Sequence, residues 1–204
     1  MTLPGSAAHR VFLLSPASTA GKRAQLVLND KASFDVAARI RSAEGVAIGE
    51  LFSFLSGLYF RGKLTYARHF ARSPSAIHVI TSDRGLVSPD QPVTIADLRA
   101  MSAQAIDHAH GPYRLPLTRH AIAVRHSLPP GSEVVLLGSI ATEKYVNVLS
   151  EVFGSALVFP HEFVGRGDMS RGGLLLRCAR EDRELDYTAV ATATRRGRRP
   201  PKLE

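Results

Sequence analysis

Short apolar runs bounded by turn residues recur along the chain and predict β-strands. Four of these runs are almost entirely apolar, which is typical of strands that are covered on both faces. They occupy residues 10–16, 76–82, 132–139 and 155–160. Two later runs, residues 173–179 and 184–190, predict a fifth strand and an antiparallel edge strand joined by a polar turn.

Helix-like segments separate the predicted strands. They span residues 33–43, 47–71, 94–109, 116–128 and 141–154, with breaks expected at Gly57 and Gly62. Thr94 with Asp97 three residues later is a variant of the capping box, and Gly154 is a suitable helix end. This alternation predicts an α/β fold for residues 1–194: a single three-layer domain with a mainly parallel central sheet of four or more strands and an antiparallel edge strand.

Sites in such sheets lie beyond the carboxyl ends of the strands, so the residues that follow each strand are the candidates. The first strand is followed by a turn with hydroxyls, backbone amides and a cation, which could hold an anion or be a polar surface loop. Its candidate ligand-binding residues are Ser15, Ser18, Thr19 and Lys22. After the third strand, Ser139 precedes a helix start that could receive a planar or anionic ligand or serve only as a cap.

The segment FPHEFVGRGDMSRGG, residues 159–173, follows the fourth strand and predicts the centre of a site. Arg166 and Arg171 carry forked donors suited to phosphate, carboxylate or a base edge, and Gly167 permits close approach of a ligand. The acid–base groups of this segment are its catalytic candidates: His161, Glu162 and Asp168. The competing interpretation is a loop held together by its own Arg–Asp pairs.

Aromatic and basic residues also alternate between Phe52 and Phe70, a pattern that can stack bases and bind phosphate. The best candidates for nucleic-acid contacts there are Tyr59, Arg61 and Lys63. Packing of these aromatic residues in the core is the alternative, because Phe52 and Tyr59 share one helical face.

Charge is concentrated at the end of the chain. The 204 residues carry a formal net charge of +8, and the last ten hold five cations against one carboxylate, which is +4 of that total. We therefore expect residues 195–204 to be a disordered basic tail that binds RNA or DNA, or one that only increases solubility. Its candidate nucleic-acid-binding residues are Arg195, Arg196, Arg198 and Arg199.

Several function classes lack their motifs. No apolar run approaches the roughly 20 residues that span a bilayer, and the single cysteine, Cys178, excludes an internal disulfide and predicts a core residue in a cytoplasmic protein. The chain has no Walker A loop, no GxGxxG after the first strand, no GxSxG and no HExxH. The sequence therefore predicts neither a cofactor nor a metal.

Four segments together resemble the uracil-DNA-glycosylase-like α/β superfamily, nearest to its uncharacterised and archaeosine-synthase-type branches. They are LLSPAST, VITSDRGLVSPD, VVLLGS with its following helix, and FPHEFVGRGDMSRGG. In this resemblance, His161 and Arg166-Gly167 correspond to the His-Pro-Ser and Arg-Gly loop that inserts into DNA. The acidic water-activating motif of true glycosylases has no counterpart in SPASTAGKR, which argues against uracil excision.

These patterns favour a protein that binds a nucleobase or nucleotide, within RNA or DNA, in a crevice at the strand ends and, if the site is catalytic, modifies it. Arg166 and Arg171 would hold phosphate or a base edge, facing a wall formed by Ser15, Ser18, Thr19 and Lys22. Two alternatives stay open. One is a non-catalytic nucleic-acid-binding protein that uses the basic tail, and the other is an enzyme acting on a free phosphorylated metabolite.

Overall fold

A computed structural model of the protein describes residues 9–195 and 197. Its centre is a six-stranded sheet in the order β4-β3-β1-β6-β7-β8. The strands are β1 (Arg10–Leu14), β3 (Ile77–Ile80), β4 (Leu86–Val87), β6 (Glu133–Leu137), β7 (Leu157–Pro160) and β8 (Tyr187–Ala189). A separate antiparallel pair consists of β2 (Val46–Ala47) and β5 (Pro92–Val93).

The four inner strands of the large sheet are parallel, and the two edge strands run antiparallel to their neighbours. Strand β1 pairs with β3 on one side and with β6 on the other, and β6 pairs with β7. Strand β4 closes one edge against β3, and β8 closes the other against β7. The predicted mainly parallel sheet and its antiparallel edge at residues 184–190 are therefore confirmed.

Helices cover the sheet, giving a three-layer α/β fold. They are α1 (Lys22–Leu28), α2 (Asp35–Arg39), α3 (Ile48–Ser56), α4 (Leu58–Phe70), α5 (Ile95–Ala103), α6 (Gly111–Ser127), α7 (Val146–Phe153) and α8 (Asp168–Arg180). Helix α4 packs against α8, and α6 packs against α7. The apolar strands β1 and β6 are buried between these layers, with Phe12, Leu13 and Leu14 fully inaccessible.

The start of α5 agrees with the sequence. Thr94 and Asp97 form a capping box in which each side chain binds the other residue's backbone N–H. The predicted break at Gly57 is also confirmed, because this glycine has a φ of 63° and separates α3 from α4. A side chain is strained in that conformation, which explains glycine at this position.

Two predictions about glycine-containing segments are wrong. Residues 173–179 are not a strand but lie within α8, and Gly62 does not break α4. Both errors have one cause, which is the close contact of these two helices. A Cβ atom on Gly62 would lie 2.6 Å from the carbonyl oxygen of Gly172, and one on Gly172 would lie 2.7 Å from that of Leu58. The glycines therefore permit helix packing rather than chain reversal.

Candidate functional site

The crossovers on the two sides of β1 leave a crevice at the carboxyl ends of the parallel strands. The chain passes from β1 to β3 on one side, and from β3 back across β1 to β6 on the other. The loops after β1 and β6 therefore diverge, and a ligand site is expected at this switch point. A cavity of about 740 Å³ opens here, which we call the crevice. Its size is that of a typical small-molecule site.

The polar wall of the crevice is built from several separate segments of the chain. The loop after β1 contributes hydroxyls, the loop after β6 contributes Ser139, Lys144 and Tyr145, and α8 contributes the carboxylate of its first residue. The predicted residues that line it are Ser15, Ser18, Thr19, Tyr59, Ser139 and Asp168. Other polar residues of the wall, among them Lys144 and Tyr145, were not among the candidates.

The loop after β1 is fixed in place by the end of α5. The Thr19 hydroxyl donates to the backbone carbonyl of Met101 at 3.2 Å, and the Ser102 hydroxyl donates to the carbonyl of Thr19 at 2.7 Å. Lys22 is exposed at the start of α1 and does not line the crevice. The structure therefore places Lys22 apart from the other candidates of this loop.

A buried lysine lies beneath the crevice. The Lys63 amine, on α4, lies 2.6 Å from the carbonyl oxygen of Ser15 and 2.9 Å from its Oγ. The side chain is fully buried, and its Nζ is 4.5 Å from the ring centre of Tyr59 and 4.7 Å from that of Phe60. Lys63 is thus unavailable to a nucleic-acid backbone at the surface, so that prediction is wrong.

Burial controls the charge of Lys63. The pKa of this amine is lowered to about 7: loss of hydration lowers it, the Asp168 carboxylate raises it in part, and the nearby cation Arg171 lowers it. Desolvation is the largest of these effects, as expected for an ammonium group removed from water. The amine therefore has a substantial neutral fraction at physiological pH.

Tyr145 lies on the other side of Ser15. Its hydroxyl donates to the carbonyl of Ser139 at 2.9 Å, and burial raises its pKa overall, although the neighbouring Ser15 side chain lowers that pKa in part. Gly138, at the end of β6, makes this arrangement possible. A Cβ atom there would lie 2.8 Å from Ser15 Cβ and 2.9 Å from the Tyr145 hydroxyl oxygen.

Helix α8 brings Asp168 to the rim of the crevice and Arg171 beneath it. The Asp168 side chain is 71% exposed, whereas that of Arg171 is 11% exposed, and the two groups approach to 3.5 Å. Arg171 donates through Nε and Nη2 to the carbonyl of Phe163, at 3.2 and 3.0 Å. Most of its donors thus stabilise the start of α8, which differs from the predicted role of holding a ligand phosphate.

Several other residues of segment 159–173 line a different cavity beyond β7, which we call the side cavity. Its volume is about 500 Å³, and its lining includes His161, Glu162 and Arg166. Arg166 donates to the carbonyl of Glu162 at 2.9 Å and to the Ser170 hydroxyl at 3.2 Å. The structure therefore does not bring Ser15 and Arg166, which the sequence assigns to a single site, into the same cavity.

The other nucleic-acid candidates lie elsewhere. Tyr59 is buried and lines the crevice, and its hydroxyl oxygen has no hydrogen-bond partner among the described residues. Arg61 and Arg195 are exposed. Gly167 precedes α8 and lines neither cavity. The remaining tail candidates, Arg196, Arg198 and Arg199, lie outside the described residues.

Lys63 is a candidate that the sequence places at the surface and the structure places in the interior. Its signal was its spacing, because Lys63 falls four residues after Tyr59 on a helix and so shares the face predicted to pack. A cation on an otherwise apolar helical face needs a buried polar partner, and Ser15 is that partner. The sequence could suggest the burial but could not identify the partner.

Among the described residues, no cluster of three or more His, Cys, Asp and Glu side chains is arranged to hold a metal ion. Within the same part of the chain, no helix is both long and apolar enough to cross a membrane. Comparison with known proteins gives no match to the chain, whether among protein-family models, curated proteins or solved structures.

Proposed function

We propose that the chain binds a nucleobase or nucleotide, within RNA or DNA, in the crevice beyond β1 and β6. The observation that carries this proposal is the composition of the crevice wall. Hydroxyls from two diverging strand loops face a carboxylate, Asp168, and a cation, Lys144, around a cavity of about 740 Å³. A volume in this range accommodates a ligand of nucleotide size.

Each part of this wall has a chemical counterpart in a nucleotide. The exposed Asp168 carboxylate can accept hydrogen bonds from the exocyclic amino group of a base. Lys144 can neutralise a phosphate, and the serine and threonine hydroxyls can bind sugar or phosphate oxygens. The glycosylase-like resemblance supports the same ligand class through its SPAST and GS segments, which form two sides of the crevice.

Two binding measurements test this proposal. Calorimetric titration with free nucleobases, nucleosides and nucleotides reports on the crevice directly, and fluorescence anisotropy with single-stranded DNA, duplex DNA and tRNA reports on polymers. We expect one base class to bind, and Lys144→Ala to weaken binding of its phosphorylated form about tenfold, which corresponds to ~1.4 kcal/mol. Lys31→Ala is the matched control, because Lys31 is also exposed but does not line the crevice.

The outcomes separate the alternatives. Binding of a nucleic acid that is weakened by Lys144→Ala supports the crevice as its site. If a free phosphorylated metabolite binds without any preference for a base, the ligand of the crevice is a small molecule other than a nucleobase or nucleotide. Nucleic-acid binding that Lys144→Ala leaves unchanged, with no binding of free nucleotides, would contradict the proposal.

A further inference from the structure

The contacts of Ser15 differ from those of the other crevice hydroxyls. Ser15 follows directly after β1 and lines the crevice, yet its side chain lies within hydrogen-bond distance of a fully buried amine. A buried amine usually has a carboxylate partner. Lys63 instead has two oxygens of one residue as its hydrogen-bond partners, the carbonyl oxygen and Oγ of Ser15.

This geometry suits a neutral amine. A neutral lysine has two N–H groups and one lone pair, so it can donate to the Ser15 carbonyl and accept the proton of the Ser15 hydroxyl. The distances of 2.6 and 2.9 Å permit both bonds at once. A nucleophile and a base within hydrogen-bond distance of each other form the basic unit of covalent catalysis.

We propose that Ser15 is a nucleophile in the crevice and that Lys63 is its general base, so that the protein transfers or hydrolyses an acyl group. This inference goes beyond ligand binding and does not depend on the base or nucleotide proposed above. A carbonyl group is the favoured electrophile because the crevice wall is mainly hydroxylic, whereas phosphoryl transfer requires several cations around the reacting phosphate.

The reaction proceeds in two balanced steps. Ser15 Oγ bonds to the carbonyl carbon, its proton passes to Lys63 Nζ, and the π electrons move onto the carbonyl oxygen. The intermediate then collapses, and the leaving group departs with its bonding electrons and takes the proton from Lys63. Water then attacks the carbonyl carbon of the Ser15 ester and gives one proton to Lys63. The bond between that carbon and Ser15 Oγ breaks, Oγ takes the proton back from Lys63, and a carboxylic acid is released.

The groups that face Lys63 set the pH at which it can act as a base. Burial and Arg171 on α8 favour the neutral amine, whereas Asp168 on α8 and the ring faces of Tyr59 and Phe60 on α4 favour the cation. Tyr145, on the loop after β6, presents a hydroxyl whose raised pKa keeps it neutral. Burial is the largest effect, which places the pKa of Lys63 at about 7.

Acetylation by p-nitrophenyl acetate tests the inference without the natural substrate. The full chain is incubated with this ester at several pH values on both sides of the Lys63 pKa, and peptide mass spectrometry measures the acetyl group on Ser15. We expect the acetylation rate to rise with pH up to about 7 and then level off, following the neutral fraction of Lys63. Lys63→Met should lower the rate about a hundredfold, the usual contribution of a general base.

Controls separate this chemistry from a structural role of Lys63. In the Ser53→Ala variant, Ser15 should be acetylated at the normal rate. Ser53 donates to the carbonyl of Gly49 on α3 and lies outside the crevice. Thermal unfolding shows whether Lys63→Met is folded. If it is not, the pH profile of the unmodified chain decides, because a base of pKa about 7 requires a plateau.

Three results would overturn the proposal. Ser15 could stay unacetylated at every pH, folded Lys63→Met could be acetylated at the normal rate, or the rate could rise with hydroxide concentration without a plateau. None of these results would bear on nucleotide binding, which is measured by calorimetry.

Discussion

The crevice and the side cavity both lie beyond the carboxyl ends of parallel strands, but their polar groups are used differently. At the crevice, three distant parts of the chain come together: the Lys63 amine lies 2.9 Å from Ser15 Oγ, and Tyr145 lies beside Ser15. In the side cavity, Arg166 directs its Nε donor to a carbonyl of its own segment. Polar side chains from distant elements thus meet at the crevice, whereas the Arg166 donors at the side cavity bind groups of their own segment.

This difference shows why a charge-rich segment is a weak indicator of a site. Arg166 and Arg171 bind the backbone carbonyls of Glu162 and Phe163, and so stabilise the approach to α8. By contrast, isolated polar residues such as Ser15 and Lys63 acquire their significance only when the fold brings them together. Convergence of side chains from distant elements is the stronger indicator.

The substitution with the largest expected effect tests whether the floor of the crevice depends on the packing of α4 against α8. Gly172→Ala would place a Cβ atom 2.7 Å from the Leu58 carbonyl oxygen and 2.8 Å from Tyr59 Cα. Because backbone atoms cannot move aside without shifting a helix, we expect it to lower the free energy of unfolding by about 3 kcal/mol or more. Urea denaturation measures this change.

Gly173→Ala is the matched control. No atom lies within 4 Å of the Cβ position at Gly173, so alanine there should stabilise α8 by about 0.5–1 kcal/mol. Equal effects of the two substitutions would mean that α4 and α8 do not pack as described.

The second prediction concerns the pH dependence of stability and isolates Lys63. The folded-state pKa of this amine is about 7, below its ordinary value of 10.5. Between these two pH values the unfolded chain binds a proton that the folded chain does not, so this group makes stability rise with pH. The destabilisation caused by burying the Lys63 amine is complete below pH about 7 and decreases as the pH rises toward 10.5.

Lys63→Met removes that contribution while keeping an unbranched side chain. We expect the free energy of unfolding of this variant to exceed that of the natural chain by up to a few kcal/mol near pH ~6.5, with a smaller difference near pH ~9. Urea denaturation of both proteins at these two pH values measures the change. Parallel pH dependences would show that Lys63 is protonated in the folded protein across this range.

The fold could be predicted largely from sequence because strand and helix periods differ clearly in most segments. The error at residues 173–179 has a physical cause. The run GLLLRCA is short and apolar, and the glycine pair at its start weakens the helical pattern, so local preference favours a strand. The structure makes it helical because α4 needs a residue without a side chain at Gly172, and that requirement is tertiary.

The candidate site could be predicted in part for a related reason. Ser15, Ser18, Thr19 and Ser139 were found because the topology of a parallel sheet places strand-end residues together, and that topology was readable. The burial of Lys63 beside Ser15 could not be predicted from the sequence, because it depends on how closely α4 packs against β1. The partition of residues 159–173 between two cavities depends likewise on where α8 begins.

The third prediction compares the two cavities directly through ligand affinity. Asp168→Asn removes the carboxylate at the rim of the crevice, and we expect it to weaken binding of an amino-bearing base about tenfold, or ~1.4 kcal/mol. Arg166→Ala, in the side cavity, should leave that affinity within about twofold but lower stability by ~1 kcal/mol through loss of its hydrogen bond to the backbone. Calorimetric titration and urea denaturation of both variants measure the two effects.

The sequence assigns Arg166 to the binding of phosphate or a base edge, which implies the opposite result, a larger loss of binding than of stability. A drop in affinity with Arg166→Ala and none with Asp168→Asn would return the ligand site to the side cavity. The exposed Asp30→Asn is the control for loss of one negative charge, since Asp30 follows α1 closely and lines neither cavity.

The prediction with the smallest effect distinguishes binding in the crevice from long-range electrostatic attraction by the end of the chain. Truncation after Thr194 removes five cations and one carboxylate. If these cations neutralise phosphates of a nucleic acid, truncation should make the slope of log affinity against log salt concentration shallower. The expected change is roughly 0.7 to 0.9 for each phosphate contact that is lost. Anisotropy with single-stranded and duplex DNA at several salt concentrations measures the slope.

Titration of the truncated chain with a free nucleotide supplies the comparison. Its affinity should be unchanged, because no residue beyond Thr194 lines the crevice among those described. If truncation makes the salt slope shallower and leaves the nucleotide affinity unchanged, the end of the chain attracts the nucleic acid and the crevice binds a single nucleotide of it. Loss of free-nucleotide binding on truncation would place the end of the chain in the binding site itself, and the two cavities would then no longer account for ligand recognition.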